Sequence, residues 1–324
     1  MFDVISIGTA TLDVFLECSK LEQQESGNTK HILLPHGAKI EVDSVVFETG
    51  GGATNTATTF ARQGLKTAVI AKIGSDFPAE KVLQKLKDEH IDTSFVVQDP
   101  NDSTDFATII WQPKVGNVLL INRGEGKLET KDVALDTIQT KWFHLSSTEG
   151  NIDIVKEVDT LCHPHDTTRP KISWNPGKRE LEQKTLLKEL LPCIELLILN
   201  RTEMATLFDL DWDNKEAILD NAQTLPAKLI LITDGSRGSF FWDGNAWMWS
   251  DVFHVERHEA TGAGDAYGSG FIAGILKGFS YTQCLKLAAA NAASVVTTPS
   301  AKQGILNEEQ RKEWLQRDLT IKKL

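Results

Sequence analysis

Apolar positions in this chain fall into two kinds of run. Short continuous runs, such as residues 4–7 ending at Gly8, fit strands buried on both faces of a parallel sheet. Stretches with helical character separate them. One helix follows Gly50-Gly51-Gly52 and ends near Gln63-Gly64; a strand is expected at 68–73 and a helix from Pro78 to about Glu89, where the proline suits a first turn. Further on the alternation is steady, with strands at about 142–145, 171–174, 195–199 and 228–233. Helices are expected at about 151–161, 180–191, 201–208 and 215–224. A β-ribbon at about 238–254 precedes the segment 258–278, and two helices at about 282–297 and 307–317 follow it. Strand–loop–helix repetition of this kind builds a parallel sheet covered by helices.

Two stretches break the pattern. Residues 15–48 are polar and hairpin-like, and 94–124 are β-rich, with runs at 95–97, 106–110 and 118–121. They read as one small sheet departing from the main body.

The chemistry concentrates where apolar strands end in glycine. Thr261-Gly262-Ala263-Gly264-Asp265 opens onto a small, apolar helix with no charge until Lys277. Glycines there let successive N–H groups point into one concavity, and a helix's first amides lack internal partners. The product is an anion site suited to a transferring phosphoryl group. Asp265 either caps the helix or takes a proton from a bound hydroxyl. A dinucleotide turn needs an acidic residue about 20 positions on; none occurs between Asp265 and Glu308, and no phosphate-loop Gly-Lys-Ser/Thr is present. Asp13 follows the first strand, at the sheet edge where ligands bind in such folds. It is a candidate for substrate hydroxyls or an ordinary loop cap. Gly50-Gly51-Gly52-Ala53-Thr54-Asn55 suggests a second close backbone approach, with Asn55 offering both donor and acceptor. Asn200-Arg201-Thr202-Glu203 follows the strand at 195–199, and alone it fits a helix cap as well as a site.

Four patterns thus occur in fixed order: Gly50-Gly51-x-x-x-Asn55, Asn200-x-x-Glu203, Thr233-x-Gly235-x-x-Gly238 and Thr261-Gly262-Ala263-Gly264-Asp265. With Asp13 they resemble the ribokinase-like (PfkB) carbohydrate kinases over nearly the whole chain. The last motif is specific; the others are weak singly. The resemblance implies an α/β fold: a central, mostly parallel Rossmann-like sheet flanked by helices, with a small β-sheet lid. One domain would span 1–324, with the lid from about 9–48 and 96–124 and the core from about 1–8, 49–95 and 125–324. It implies transfer of the γ-phosphoryl of ATP to a sugar hydroxymethyl group. Asp265 would be the general base, and Gly262, Ala263 and Gly264 the anion hole. Asp13, Gly50, Gly51 and Asn55 would hold sugar hydroxyls. Asn200 and Glu203 would organise Mg²⁺ through water, Thr233, Gly235 and Gly238 would line the nucleotide, and Asn291 would lie near adenine. The family usually has Asp where this chain has Glu259, and Thr or an equivalent at Ala260, so a K⁺ site at Glu259 is in question. A homodimer through the lid is expected. A nucleoside kinase, with Trp111 or Phe106 stacking on a base, and a nucleotide- and sugar-binding protein without turnover stay open as alternatives.

The 324 residues, 41% of them hydrophobic, suffice for a large core, and a net charge of −11 argues against a nucleic-acid surface. Cys18, Cys162, Cys193 and Cys284 form no CxxC pair and read as reduced thiols of a cytoplasmic protein. No apolar run is long enough to span a membrane, and no leader-like start is seen. His163-Pro164-His165-Asp166 reads as a solvated loop rather than a metal site. Trp142, Trp174 and Trp242 read as core. Asn175 and Lys178, at a strand end near the expected cleft, are lesser candidates.

Overall fold

The structure, a computed structural model, describes all residues except 28, 114, 125, 162–168 and 259–260. Cys162, the His163-Pro164-His165-Asp166 segment, Glu259 and Ala260 therefore lie outside the described residues. In chain order the strands are β1 (Val4–Ile7), β2 (Thr11–Glu17), β3 (Gln23–Ser26), β4 (Thr29–Ile32), β5 (Ser44–Gly50), β6 (Thr67–Ile73), β7 (Val96–Gln98), β8 (Asp105–Gln112), β9 (Gly116–Asn122), β10 (Trp142–Leu145), β11 (Lys171–Trp174), β12 (Leu196–Asn200), β13 (Leu229–Thr233), β14 (Ser239–Trp242), β15 (Trp247–Ser250) and β16 (Ile321–Lys323). The helices are α1 (Gly52–Arg62), α2 (Phe77–Asp88), α3 (Ile152–Leu161), α4 (Lys178–Leu181), α5 (Lys184–Leu190), α6 (Arg201–Phe208), α7 (Lys215–Ala222), α8 (Ala263–Leu276), α9 (Tyr281–Val295) and α10 (Glu308–Gln316).

The large sheet runs β16-β15-β14-β13-β12-β11-β10-β1-β6-β7. It is parallel from β7 through β13 and antiparallel beyond. Successive strand side chains point to opposite faces, so each continuous apolar run serves two cores. Leu197, Leu199, Ile230 and Ile232 pack toward α3, α5, α6 and α7 with Val155, Leu187, Met204 and Ile218. Leu196, Ile198, Leu229 and Leu231 pack toward α1, α8 and α9 with Phe60, Phe271 and Leu285. Trp142 and Trp174 are buried in these cores as expected, and Trp242 packs at the edge of one.

The smaller sheet runs β5-β2-β8-β9, and β3 and β4 form a separate hairpin. Since Thr11 pairs with Gly50, β5 delivers the chain from this sheet straight into the glycine turn that opens α1. Three details differ from expectation. The run at 95–97 does not join the small sheet: β7 pairs with β6 at the edge of the large one. The helix expected at 180–191 is two. Glu180 in α4 turns inward to accept from the backbone N–H groups of Thr148 and Gly150, and α5 starts afresh. Finally β16, too short to show a period, adds an antiparallel edge beside β15.

Candidate active site

Two glycine turns at the carboxyl edge of the large sheet aim their helices at one place. Gly262 has φ 78°, a left-handed conformation that glycine adopts freely, and it caps α8 without a side-chain bond. It also has no room for a side chain, since a Cβ would lie 2.5 Å from that of Ala301. Ala263, Gly264 and Asp265 follow as the first helical turn, whose amides point outward unpaired within the helix. Opposite them, Gly51 (φ 89°) caps α1, and a Cβ there would meet the Thr9 carbonyl oxygen at 2.5 Å.

Asp265 is where the turns meet. Its Oδ2 accepts from Asn55 Nδ2 at 2.9 Å, and its Oδ1 lies 3.9 Å from where a Cβ on Gly52 would stand. The carboxylate thus bonds across to α1, not to its own helix. Burial raises the Asp265 pKa, against the Asn55 hydrogen bond and the charge of Lys302. The Oδ1 of Asn55 is buried with no partner. Asp13, on β2, packs against Gly50, so closely that a Cβ there would fall 2.0 Å from Asp13 Oδ2. Thr11 Oγ1 donates to Asp13 Oδ1 at 2.7 Å. Burial raises the Asp13 pKa too, opposed by that bond and by Lys302 and reinforced by Glu48.

A cleft of about 190 Å³ joins Asp265, Gly262 and Gly264 to Asn200, Glu203, Thr233 and Asn175. Asn200 and Glu203 form a capping box on α6: Glu203 N donates to Asn200 Oδ1 at 2.9 Å, and Asn200 N to Glu203 Oε2 at 2.8 Å. The same two residues also line the cleft. Burial raises the Glu203 pKa, and the Asp265 charge adds to it. Asn175 donates to the Ile198 carbonyl at 2.9 Å, whereas Lys178 is exposed and is not among the cleft residues. Among the described residues, no cluster of three or more His, Cys, Asp and Glu is able to cage a metal. The cleft's oxygen donors Asn200 and Glu203 fit a hard cation that keeps most of its waters.

A second cavity of about 280 Å³ shares Thr233 and Gly264 with the first. Gly235 and Gly238 bound it, and its apolar wall includes Val252, Phe253, Ala289 and Ala292. Gly238 (φ 92°) lets β13 turn back as β14, with no space for a Cβ against the Ser250 carbonyl. Asn291 is not among the residues lining this cavity: it is fully buried, donating to Thr59 Oγ1 and the Ala266 carbonyl and accepting from Leu306 N. Residues the sequence reading passed over include Ala301 and Lys302, in a loop whose polar composition reads as solvated. Trp111 is not open to the cleft; its ring stacks on His258 at 4.2 Å.

A parallel α/β sheet with two glycine turns converging on one carboxylate, beside paired anion and apolar cavities, defines a small-molecule phosphotransferase. The pattern of the pfkB family carbohydrate kinases matches residues 1–308, and the chain belongs to that family. It is accordingly a phosphotransferase with an alcohol group as acceptor, on a ribokinase-like fold. The chain is 28% identical over 280 residues to a ribokinase of Staphylococcus aureus, covering 85% of this chain and 86% of that one. It is 25% identical over 303 residues to a cytidine kinase of Thermococcus kodakarensis, covering 91% and 96%. The solved structure of Arabidopsis thaliana ribokinase complexed with ribose and ATP shares the fold, with a TM-score of 0.79 at 20% identity over 98% of this chain and 99% of that one.

Proposed function

We propose that the enzyme transfers the γ-phosphoryl of ATP to a hydroxymethyl group of a sugar, with Asp265 as general base. The observation that carries this is the Asp265 carboxylate, held by Asn55 across the junction of two helix N-termini and opening on the cleft of Asn200 and Glu203. Asp265 takes the proton of the acceptor hydroxyl, and the oxygen forms a bond to the γ-phosphorus. The bond to the β–γ bridging oxygen breaks, and ADP leaves with that electron pair. The first amides of α8 at Gly262, Ala263 and Gly264 stabilise the charge on the phosphoryl oxygens. Asp13, the Gly50-Gly51 backbone and the free Oδ1 of Asn55 hold acceptor hydroxyls. Thr233, Gly235 and Gly238 border the nucleotide, whose base fits the apolar second cavity. Mg²⁺, when bound, would neutralise phosphate charge; Asn200 and Glu203 would hold it through water.

The small sheet acts as a lid over the acceptor in this reading, supported by Asp13 on β2 and by the reach of Trp111 to His258. His258 already takes one face of that ring, which leaves less of it for a base and supports a sugar acceptor. Val118, Leu119, Leu120 and Ile121 on edge strand β9, with Phe47 on β5, expose apolar side chains that support pairing of two lids as a homodimer. Free Cys18, Cys193 and Cys284 are in keeping with work in the cytoplasm, and no helix among the described residues is long and apolar enough to cross a membrane.

The test is ADP production from ATP and Mg²⁺ over a panel of pentoses, hexoses, sugar acids and nucleosides, with and without K⁺. Asp265→Asn should lower kcat by ~10²–10⁴ with ATP binding intact, since proton removal alone is lost. An Asp265→Asn enzyme as fast as the parent would remove Asp265 from this role.

A further inference from the structure

Lys302 lies in the loop between α9 and α10, and its side chain is fully buried. Its Nζ donates to Thr49 Oγ1 and to Thr54 Oγ1, each at 2.6 Å. Both partners are neutral hydroxyls. An ammonium in such surroundings is costly; burial brings the Lys302 pKa down to about 7, with Lys85 adding to the effect and Glu48, Asp13 and Glu89 opposing it. The charged groups around it are Asp13 on β2, Glu48 on β5, Lys85 and Glu89 on α2, and Asp265 on α8. Glu48 also meets Lys85 at 3.3 Å and Glu89 meets Arg62 at 2.6 Å. The Lys302 charge lowers the Asp13 and Asp265 pKa values by less than burial raises them.

The location explains why a lysine is kept there. Thr49 is the last residue but one of β5 and Thr54 sits in the first turn of α1, so the ammonium grips both arms of the Gly50-Gly51 turn. Thr54 Oγ1 in turn donates to the Gly50 carbonyl at 2.5 Å. The loop is itself clamped, since Arg62 Nη1 donates to the carbonyls of Lys302 and Ile305, each at 2.9 Å. One residue earlier, Ala301 fills the space beside Gly262. One loop thus braces the acceptor turn through Lys302 and the anion hole through Ala301.

We propose that Lys302 is a positioning residue for the acceptor: from beneath the Gly50-Gly51 turn it ties Thr49 and Thr54 together and so fixes the backbone that meets the acceptor. This rests on the function proposed above, and its test separates the two. D-ribose, D-fructose and D-gluconate are assayed with ATP and Mg²⁺ on the parent enzyme, Lys302→Gln (a donor without charge) and Lys302→Met (neither). With the acceptor the parent turns over best, Lys302→Met loses both tethers and Lys302→Gln keeps a donor for one, so the glutamine variant is the milder of the two. The acceptor KM rises ~10-fold and the ATP KM stays within about twofold, as expected for loss of a fixed acceptor turn alone. A role in packing alone would move the two KM values together, with no rescue by the glutamine donor. Thr49→Val, a shape-conserving change, breaks one tether without touching the lysine and raises the acceptor KM several-fold. An unmoved acceptor KM in Lys302→Met overturns the proposal; if neither lysine variant folds, an unmoved acceptor KM in Thr49→Val does so. A parent enzyme that turns over no acceptor overturns the functional reading instead.

Discussion

Asn55 is the sharpest place to perturb the site. Its amide is the leading influence holding the Asp265 carboxyl down against burial, with the more distant Lys302 charge behind it. A hydrogen bond to a charged acceptor contributes about 1.5–3 kcal/mol, and 1.36 kcal/mol corresponds to one pH unit. Asn55→Ala should therefore move the acidic limb of kcat upward by roughly 1–2 pH units. The sign follows from the proposed role: a base acts ionised, so activity fades as pH falls through its pKa, and raising that pKa makes it fade sooner. The measurement is kcat from pH 5 to 9 at saturating acceptor, which separates this effect from the acceptor contact that Asn55 also loses. At the alkaline end, where Asp265 is ionised in both proteins, the variant should come within a few-fold of the parent. A limb at the parental pH, with kcat reduced equally everywhere, would refute the idea that Asn55 tunes Asp265.

The remaining predictions address other parts of the site. Glu203→Gln should raise the Mg²⁺ concentration for half-maximal activity by ~10–100-fold, as loss of a water-mediated outer ligand does; an unchanged Mg²⁺ titration would leave Glu203 as a helix cap only. Asn291→Ala breaks hydrogen bonds among three segments and should cost about 2–4 kcal/mol in urea unfolding with the ATP KM within about twofold. Intact stability with a much weaker ATP KM would return Asn291 to the nucleotide site. Leu120→Asp puts a charge on the exposed face of β9, and sedimentation should show the dimer falling to one chain; a parent that already sediments as one chain removes the dimer.

What could be read in advance was local. A glycine turn at the end of an apolar run has one backbone reason and one place in a parallel sheet, so the motifs at Gly50, Thr233 and Gly262 and the carboxylates Asp13, Glu203 and Asp265 were visible as patterns. What escaped depended on packing. In α9 Asn291 stands in line with Leu287 and Val295, away from exposed Thr282 and Gln283, so its spacing already turns it inward; what only the fold supplies is its partners, Thr59 and the Ala266 carbonyl. Lys302 stands among Pro299, Ser300, Gln303 and Gly304, a composition that reads as solvated, and only the fold carries its side chain under the glycine turn. The run at 95–97 has strand character either way, and only pairing with β6 assigns it to the large sheet.

Asn291 also shows how the site depends on groups that never touch it. The proposed reaction needs the N-termini of α1 and α8 to aim at one point, because the positive ends of both helices and the proposed base between them would have to coincide where the phosphoryl charge develops. Asp265 and Asn55 close that junction at its mouth with a single bond of 2.9 Å. Behind it, Asn291 Nδ2 bonds Thr59 of α1 and the Ala266 carbonyl of α8, and its Oδ1 takes the Leu306 N–H at the end of the loop that carries Ala301 and Lys302. One buried amide therefore sets the spacing of both helices and of the loop beneath them. A helix dipole or an anion hole tolerates little misalignment, so register rather than contact is what Asn291 contributes.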